Sequence, residues 1–322
     1  MVVTQPALIV IATLVALVGF VTASPVFVLP RDDAKASTEY LGRVTDPWHK
    51  PVFDQIISFG DSFSDTGNGA WAISNNTWPA DRNYVGHRFS NGPVWIENTA
   101  KLLHLPLQSF AIGGATTDKA LVRGYTGPNS TIAVPSVNEQ VDAFLRSSPK
   151  GLSRTLFVLE GGGNDAFFGL PNVTASQSVT ALVRAAKKLE AKGAQYVLVP
   201  TLPPLAPHYP FAAQTPSYVE PLAEFSAQFR EAVRLAVGKV KSRAEVDLFA
   251  TYSRVLANPK QFGFDPKKID ENCLKGVYSG GKVTVCANPR SHIWWDEYHP
   301  TRDMHFVSGY AAVQALQRVG WV

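Results

Sequence analysis

An α/β fold, a parallel β-sheet covered by helices, is what this chain of 322 residues predicts. Three observations lead there. Short β-rich apolar runs alternate with helical patterns after residue 50. Hydrophobic residues make up 45% and charged residues 17%, the balance of a globular chain with one sizeable core rather than of a disordered one. Nothing inside the chain reads as a linker or an internal repeat, so a single large domain is expected.

Five runs predict strands, at 55–59, 108–111, 155–160, 195–199 and 245–249. Val179, Leu182, Val183, Ala186 and Leu189 recur at helical spacing, and Gly193 stands where that helix would stop. Leu222, Phe225, Phe229, Val233 and Val237 repeat the pattern within 220–241, and a last helix follows Pro300 toward Val322. The proline-rich stretch 202–216 reads as a loop. Right-handed crossovers would put the helices on both faces of the sheet.

Residues 7–21 are almost wholly apolar and run into Val21-Thr22-Ala23, a small-residue cleavage pattern, so 1–23 reads as a signal peptide. The n-region carries no Lys or Arg, and a membrane anchor is the alternative. Residues 24–50 form a polar extension and 51–322 the main domain. Asn75, Asn129 and Asn172 open glycosylation sequons, which fit a secreted, extracellular protein. Cys273 and Cys286 are the two cysteines; a local disulfide is expected, with two unpaired thiols as the alternative. The net charge of +4 comes without a basic run, so neither nucleic acid nor an anionic membrane is implied as a partner, and the chain is expected to be a monomer.

Sites in open parallel sheets gather beyond the carboxyl ends of strands. Three glycine-containing segments fall there: Gly60-Asp61-Ser62 with the residues up to Asn68, Gly113-Gly114-Ala115-Thr116, and Gly161-Gly162-Gly163-Asn164-Asp165. A serine hydroxyl needs a base, and His299 is the candidate, with Asp296 three residues earlier to hold its tautomer. Ser62 is then the expected nucleophile. Acyl transfer also needs oxyanion donors, for which the Ser62 N–H, the Gly114 N–H and the Asn164 amide are candidates; Gly113 is the alternative to Gly114. Asp61 is expected to bond the backbone of its turn, and Asp65 and Asn68 to act as capping or turn residues.

In this order the segments resemble the GDSL esterases and lipases, or SGNH hydrolases, the four letters matching Ser62, Gly114, Asn164 and His299 over about 56–303. The stretches 59–68, 88–95 (Arg-Phe-Ser-Asn-Gly-Pro-Val-Trp) and 113–117 resemble the fungal branch that includes acetylesterases of carbohydrate esterase family 16. The resemblance implies a three-layer α/β/α sandwich, of flavodoxin-like SGNH type with a five-stranded parallel sheet. It also implies removal of acetyl groups from plant cell-wall oligosaccharides. Ser109 departs from the asparagine that many relatives carry five residues before the oxyanion glycine.

Trp71, Trp78 and Trp294 are candidates for a sugar-stacking platform, core packing being the alternative. The other histidines lack a carboxylate at matching spacing, no His-Glu-x-x-His motif occurs, and no metal or other cofactor is expected. A lipase or phospholipase for longer acyl chains and a catalytically silent polysaccharide-binding protein are the competing functions.

Overall fold

The structure, a computed structural model, describes residues 50–237, 240–278 and 282–322. The expected signal peptide, and the extension up to residue 49, lie outside the described residues.

Five successive apolar or β-branched residues, Thr-Leu-Phe-Val-Leu, fill a strand at Thr155–Leu159, and all five are buried, the pattern of a strand covered on both faces. The strands in chain order are β1 (Gln55–Phe59), β2 (Leu107–Ser109), β3 (Gly124–Thr126), β4 (Ile132–Val134), β5 (Thr155–Leu159), β6 (Tyr196–Pro200), β7 (Arg243–Val246), β8 (Leu274–Lys275) and β9 (Thr284–Val285). The main sheet has the order β2-β1-β5-β6-β7, and each neighbouring pair is parallel. From β1 the chain steps one way to β2, then crosses back over β1 to β5 and continues outward. Right-handed crossovers in opposite directions place helices on opposite faces. Helices Trp95–Leu102, Leu248–Ala257 and Arg302–Arg318 pack together in one layer, and Val137–Arg146, Ala175–Glu190 and Val219–Val237 in the other. The three-layer α/β/α sandwich is therefore present, and β1 and β5 flank the point where the strand order reverses.

The five expected strands all form, the first with its expected bounds and the other four with shifted ends. β2 is shorter than expected, but bonds from Phe110 N to Ser58 O (2.8 Å) and Ile112 N to Gly60 O (3.0 Å) carry the chain on beside β1. β7 ends at Val246, because the Asp247 carboxylate accepts from Ala250 N (2.9 Å) and caps a helix that takes Leu248 and Phe249. The proline-rich stretch holds a short helix, Pro210–Gln214, with proline in its first turn. The helix Val137–Arg146 was not expected, although Ser136 and Glu139 cap it reciprocally. The hairpin β3–β4 was not expected either.

No helix among the described residues is long and apolar enough to cross a membrane. Cys273 and Cys286 form a disulfide that ties the hairpin β8–β9, which pairs with the segment ahead of Asp296 through Leu274 N to Trp295 O (2.6 Å). Replacing both cysteines by serine is expected to lower the unfolding free energy by about 3 kcal/mol, the chain-entropy value for so short a loop. A thermal melt of the double variant that overlays the wild type would show that the hairpin is held by its packing alone.

Candidate active site

The carboxyl ends of β1 and β5 deliver two loops to the reversal point. After β1 the chain turns at Gly60 and Asp61, where the Asp61 Oδ1 accepts from Phe63 N (3.0 Å), as expected of a turn residue. Ser62 follows, 7% exposed. Asp65 accepts four backbone N–H bonds, from Gly67, Gly69, Ala70 and Gly113 at 2.8–3.0 Å, and so fixes the turn against the next loop. Asn68 bridges Thr66 and the Ser109 carbonyl, a structural role as expected. Ser109, standing where relatives carry asparagine, donates to Ser64 O at 3.0 Å and keeps the loop bonded.

His299 Nε2 lies 2.8 Å from Ser62 Oγ, and His299 Nδ1 lies 2.8 Å from both carboxylate oxygens of Asp296. A carboxylate is an acceptor, so the Nδ1 proton belongs toward Asp296 and Nε2 is left to accept from Ser62. Asp296 is fully buried, and its charge is met by further donors: Tyr298 N (2.8 Å), His299 N (2.7 Å) and the Tyr84 hydroxyl (2.6 Å). Tyr84, 212 residues away in sequence, was not anticipated. Burial and the charge of Asp296 push the Tyr84 phenol well up, so it stays a donor.

The segment 88–95, for which the sequence offered no role, supports His299. The Phe89 ring lies 5.0 Å from the imidazole, Ser90 Oγ donates to Pro300 O (2.9 Å), and Asn91 Oδ1 accepts from Arg302 N (2.8 Å).

Gly114 has φ +89°, and a Cβ there would fall 2.0 Å from the Tyr125 carbonyl oxygen, so only glycine fits. The Gly113 N–H, the alternative donor, is engaged by Asp65 Oδ2 at 2.9 Å. Neither the Ser62 nor the Gly114 N–H has a hydrogen-bond partner among the described residues. Gly162 has φ +115°, and a Cβ would strike the Phe229 ring at 2.4 Å; this tight turn starts the helix Gly163–Gly169 that carries Asn164. Buried Asp165 accepts from Thr117 N and Ser178 Oγ, both at 2.9 Å, and locks that helix to the Gly114 loop. The Asn164 amide donates to Ala115 O (3.0 Å) and Asp61 Oδ2 (3.2 Å), so in this state it is anchored beside Ser62 with its protons engaged.

Beneath Ser62 lies a second feature the sequence did not reveal. Glu160, buried at the end of β5, accepts from Asp61 N (3.0 Å) and Ser64 Oγ (3.2 Å). Burial raises Asp61 above the ordinary carboxylate range and Glu160 well above it, and the Asp61 charge raises Glu160 further.

A cavity of about 640 Å³ opens over Ser62 and His299. Its wall is largely aromatic, with Trp78, Phe167, Phe168, Phe211 and Tyr298. Of the three expected sugar-binding tryptophans, Trp78 alone is on it. Trp294 is fully buried with its indole N–H on Ile269 O (3.1 Å), and Trp71 stacks on His87 at 3.5 Å away from the lining; both expectations are corrected. Composition could not separate these fates, because core and binding wall use the same ring. Asn75, Asn129 and Asn172 are all exposed. His292 Nδ1 approaches Cys286 Sγ at 3.6 Å, but both sulfurs are consumed by the disulfide and leave no thiolate to hold a metal.

Two outcomes are expected. Tyr84→Phe removes one donor from Asp296 and should lower kcat/KM about tenfold, or ~1.4 kcal/mol. An unchanged kcat/KM would show that the Tyr84 hydroxyl does not support Asp296. Glu160 keeps in the fold a proton that the unfolded chain releases. Its stabilisation is therefore complete below the ordinary carboxylate pKa, about 4, and declines as pH rises through the raised value. Glu160→Gln should flatten the dependence of Tm on pH above the ordinary carboxylate range, and parallel curves would remove Glu160 as the titrating group.

A family model described as GDSL-like Lipase/Acylhydrolase matches residues 56–308. Thermolabile hemolysin of Vibrio parahaemolyticus is 30% identical over 277 residues, covering 78% of this chain and 61% of the hemolysin, so the chain spans less than two thirds of that relative. Acetylajmalan esterase 2 of Rauvolfia serpentina is 27% identical over 329 residues, covering 79% and 87%. A lipolytic G-D-S-L family protein from Veillonella parvula superposes with a TM-score of 0.48 at 12% identity, covering 82% and 98%. With the match running from β1 into the first turns of the last helix, the chain belongs to the GDSL-like lipase/acylhydrolase family of ester hydrolases.

Proposed function

We propose that the protein is a secreted esterase that removes acetyl groups from small alcohols, acetylated cell-wall oligosaccharides such as xylo-oligosaccharides above all. The reading is carried by one observation: Ser62 Oγ sits 2.8 Å from a histidine nitrogen at the floor of a large aromatic cavity. Ser62 attacks the acyl carbonyl as His299 Nε2 takes its proton. His299 then protonates the departing alcohol, activates water for the second attack and finally returns the proton to Ser62.

Ser62 and Gly114 both line the cavity, and their unpartnered N–H groups would receive the oxyanion. Asn164 would join them by turning the proton of its longer bond away from Asp61. An acetyl group fills little of a cavity within the range of about 300–1,000 Å³ that suits drug-sized ligands, so the alcohol would occupy most of it. Trp78 is buried but reaches the lining, where its ring would contact a bound sugar. The relative named acetylajmalan esterase supports an acetyl group. Secretion is supported by the apolar stretch 7–21, the disulfide and the exposed sequons.

One observation favours a second reading. Phe167, Phe168, Leu202, Leu205 and Phe211 make part of the wall apolar enough for a long acyl chain, which would make the enzyme a lipase.

The test compares wild type and Ser62→Ala on p-nitrophenyl acetate, butyrate and octanoate, with acetate release from acetylated xylo-oligosaccharides. Ser62→Ala should lose at least about 10⁴-fold in kcat. Asp296→Ala should lose less, since it orients the base without touching substrate. Preference for octanoate would move the assignment to lipase, and activity surviving in Ser62→Ala would remove Ser62 from the reaction.

A further inference from the structure

The three sequons differ in where they stand. Asn75 and Asn172 are exposed away from the cavity, whereas Asn129 lies on its lining together with Thr126, Gly127, Pro128 and Ser130. These residues form the tip of the hairpin β3–β4, whose first strand packs against Gly114 closely enough to exclude a side chain there. Asn129 and Ser130 both have positive φ, 55° and 52°, the geometry of a tight turn, and residues 128–131 are all exposed. An attachment at Asn129 is thus sterically free on the solvent side and stands at the mouth above Ser62.

We propose that Asn129 is an N-glycosylation site whose glycan roofs the mouth of the cavity and limits the size of ester that reaches Ser62. The inference deepens the esterase reading and rests on it, and on passage through a secretory compartment. The donor would be an oligosaccharide linked to a lipid diphosphate. Asn129 Nδ2 forms a bond to the anomeric carbon, the bond from that carbon to the diphosphate oxygen breaks, the lipid diphosphate leaves with the electron pair, and the amide releases one proton. The polar, bulky product would screen the apolar wall from a lipid surface and from polymer chains while leaving a path for small soluble esters. Selection by size would then come from a modification on a surface hairpin and not from the depth of the pocket.

The experiment uses the full chain secreted from a eukaryotic host. Thr131→Ala removes the sequon together with the bond from Thr131 Oγ1 to Pro128 O (3.0 Å), Thr131→Ser keeps both sequon and hydroxyl, and endoglycosidase trimming of the wild type removes most of the glycan without any substitution. Glycopeptide mass spectrometry should find Asn129 occupied in the wild type and Thr131→Ser and bare in Thr131→Ala. The ratio of acetate release from polymeric acetylated xylan to hydrolysis of p-nitrophenyl acetate should rise at least fivefold in Thr131→Ala and in the trimmed enzyme. A bare Asn129 in the wild type overturns the proposal, and so does an unchanged ratio. Occupancy is read without catalysis, and Ser62→Ala tests the esterase reading separately, so failure of one is distinguishable from failure of the other.

Discussion

The Asp296 carboxylate is the interaction on which the site depends. It is wholly buried, a costly position for a charge unless donors surround it. Those donors come from two neighbouring backbone N–H groups, the imidazole and a tyrosine more than two hundred residues earlier. Meeting that demand fixes the loop 296–299, the rotamer of His299 and the approach of the segment around Tyr84. The sheet contributes the other half of the constraint. Parallel pairing of β1 with β5 keeps the Ser62 and Asn164 loops adjacent whatever happens at the surface.

Much of this was legible in the sequence for physical reasons. A glycine-bearing turn directly after an apolar run marks a strand end, and an Asp-x-x-His pair is local, so Ser62, Asp296 and His299 could be placed before any coordinates. The five strands and the long helices were legible from periodicity. What escaped was what periodicity does not encode. Tyr84 has no local mark, because its partner is distant in the chain. Glu160 reads as the polar end of a strand until its neighbour across the sheet is known to be the Asp61 turn. Strands β3 and β4, three residues each, are too short to show alternation. Asp247 redirected an apolar run from strand to helix by a single capping bond, which a count of apolar residues cannot register.

The buried carboxyl pair under Ser62 adds a further dependence. Glu160 receives Asp61 N and Ser64 Oγ, and Ser64 Oγ in turn receives the indole N–H of Trp95 at 3.0 Å. The turn holding the serine is thereby joined to the layer of helices below it. Polar groups inside such a network are stable only together, since one missing partner leaves another unsatisfied. The rigidity of the turn thus belongs to the interior as much as to the loop.

The cavity divides along the same line. Its floor is made by strand ends and buried carboxylates, while its wall comes from the hairpin β3–β4, the proline-rich stretch and the neighbourhood of Tyr278, connected to the floor by a few bonds. Floor and wall are therefore partly separable in evolution: insertions or exchanges in the exposed turns of these segments can redraw the range of accepted esters while the machinery beneath stays as it is. A laboratory search for new substrates would do best to randomise those segments and leave the sheet untouched.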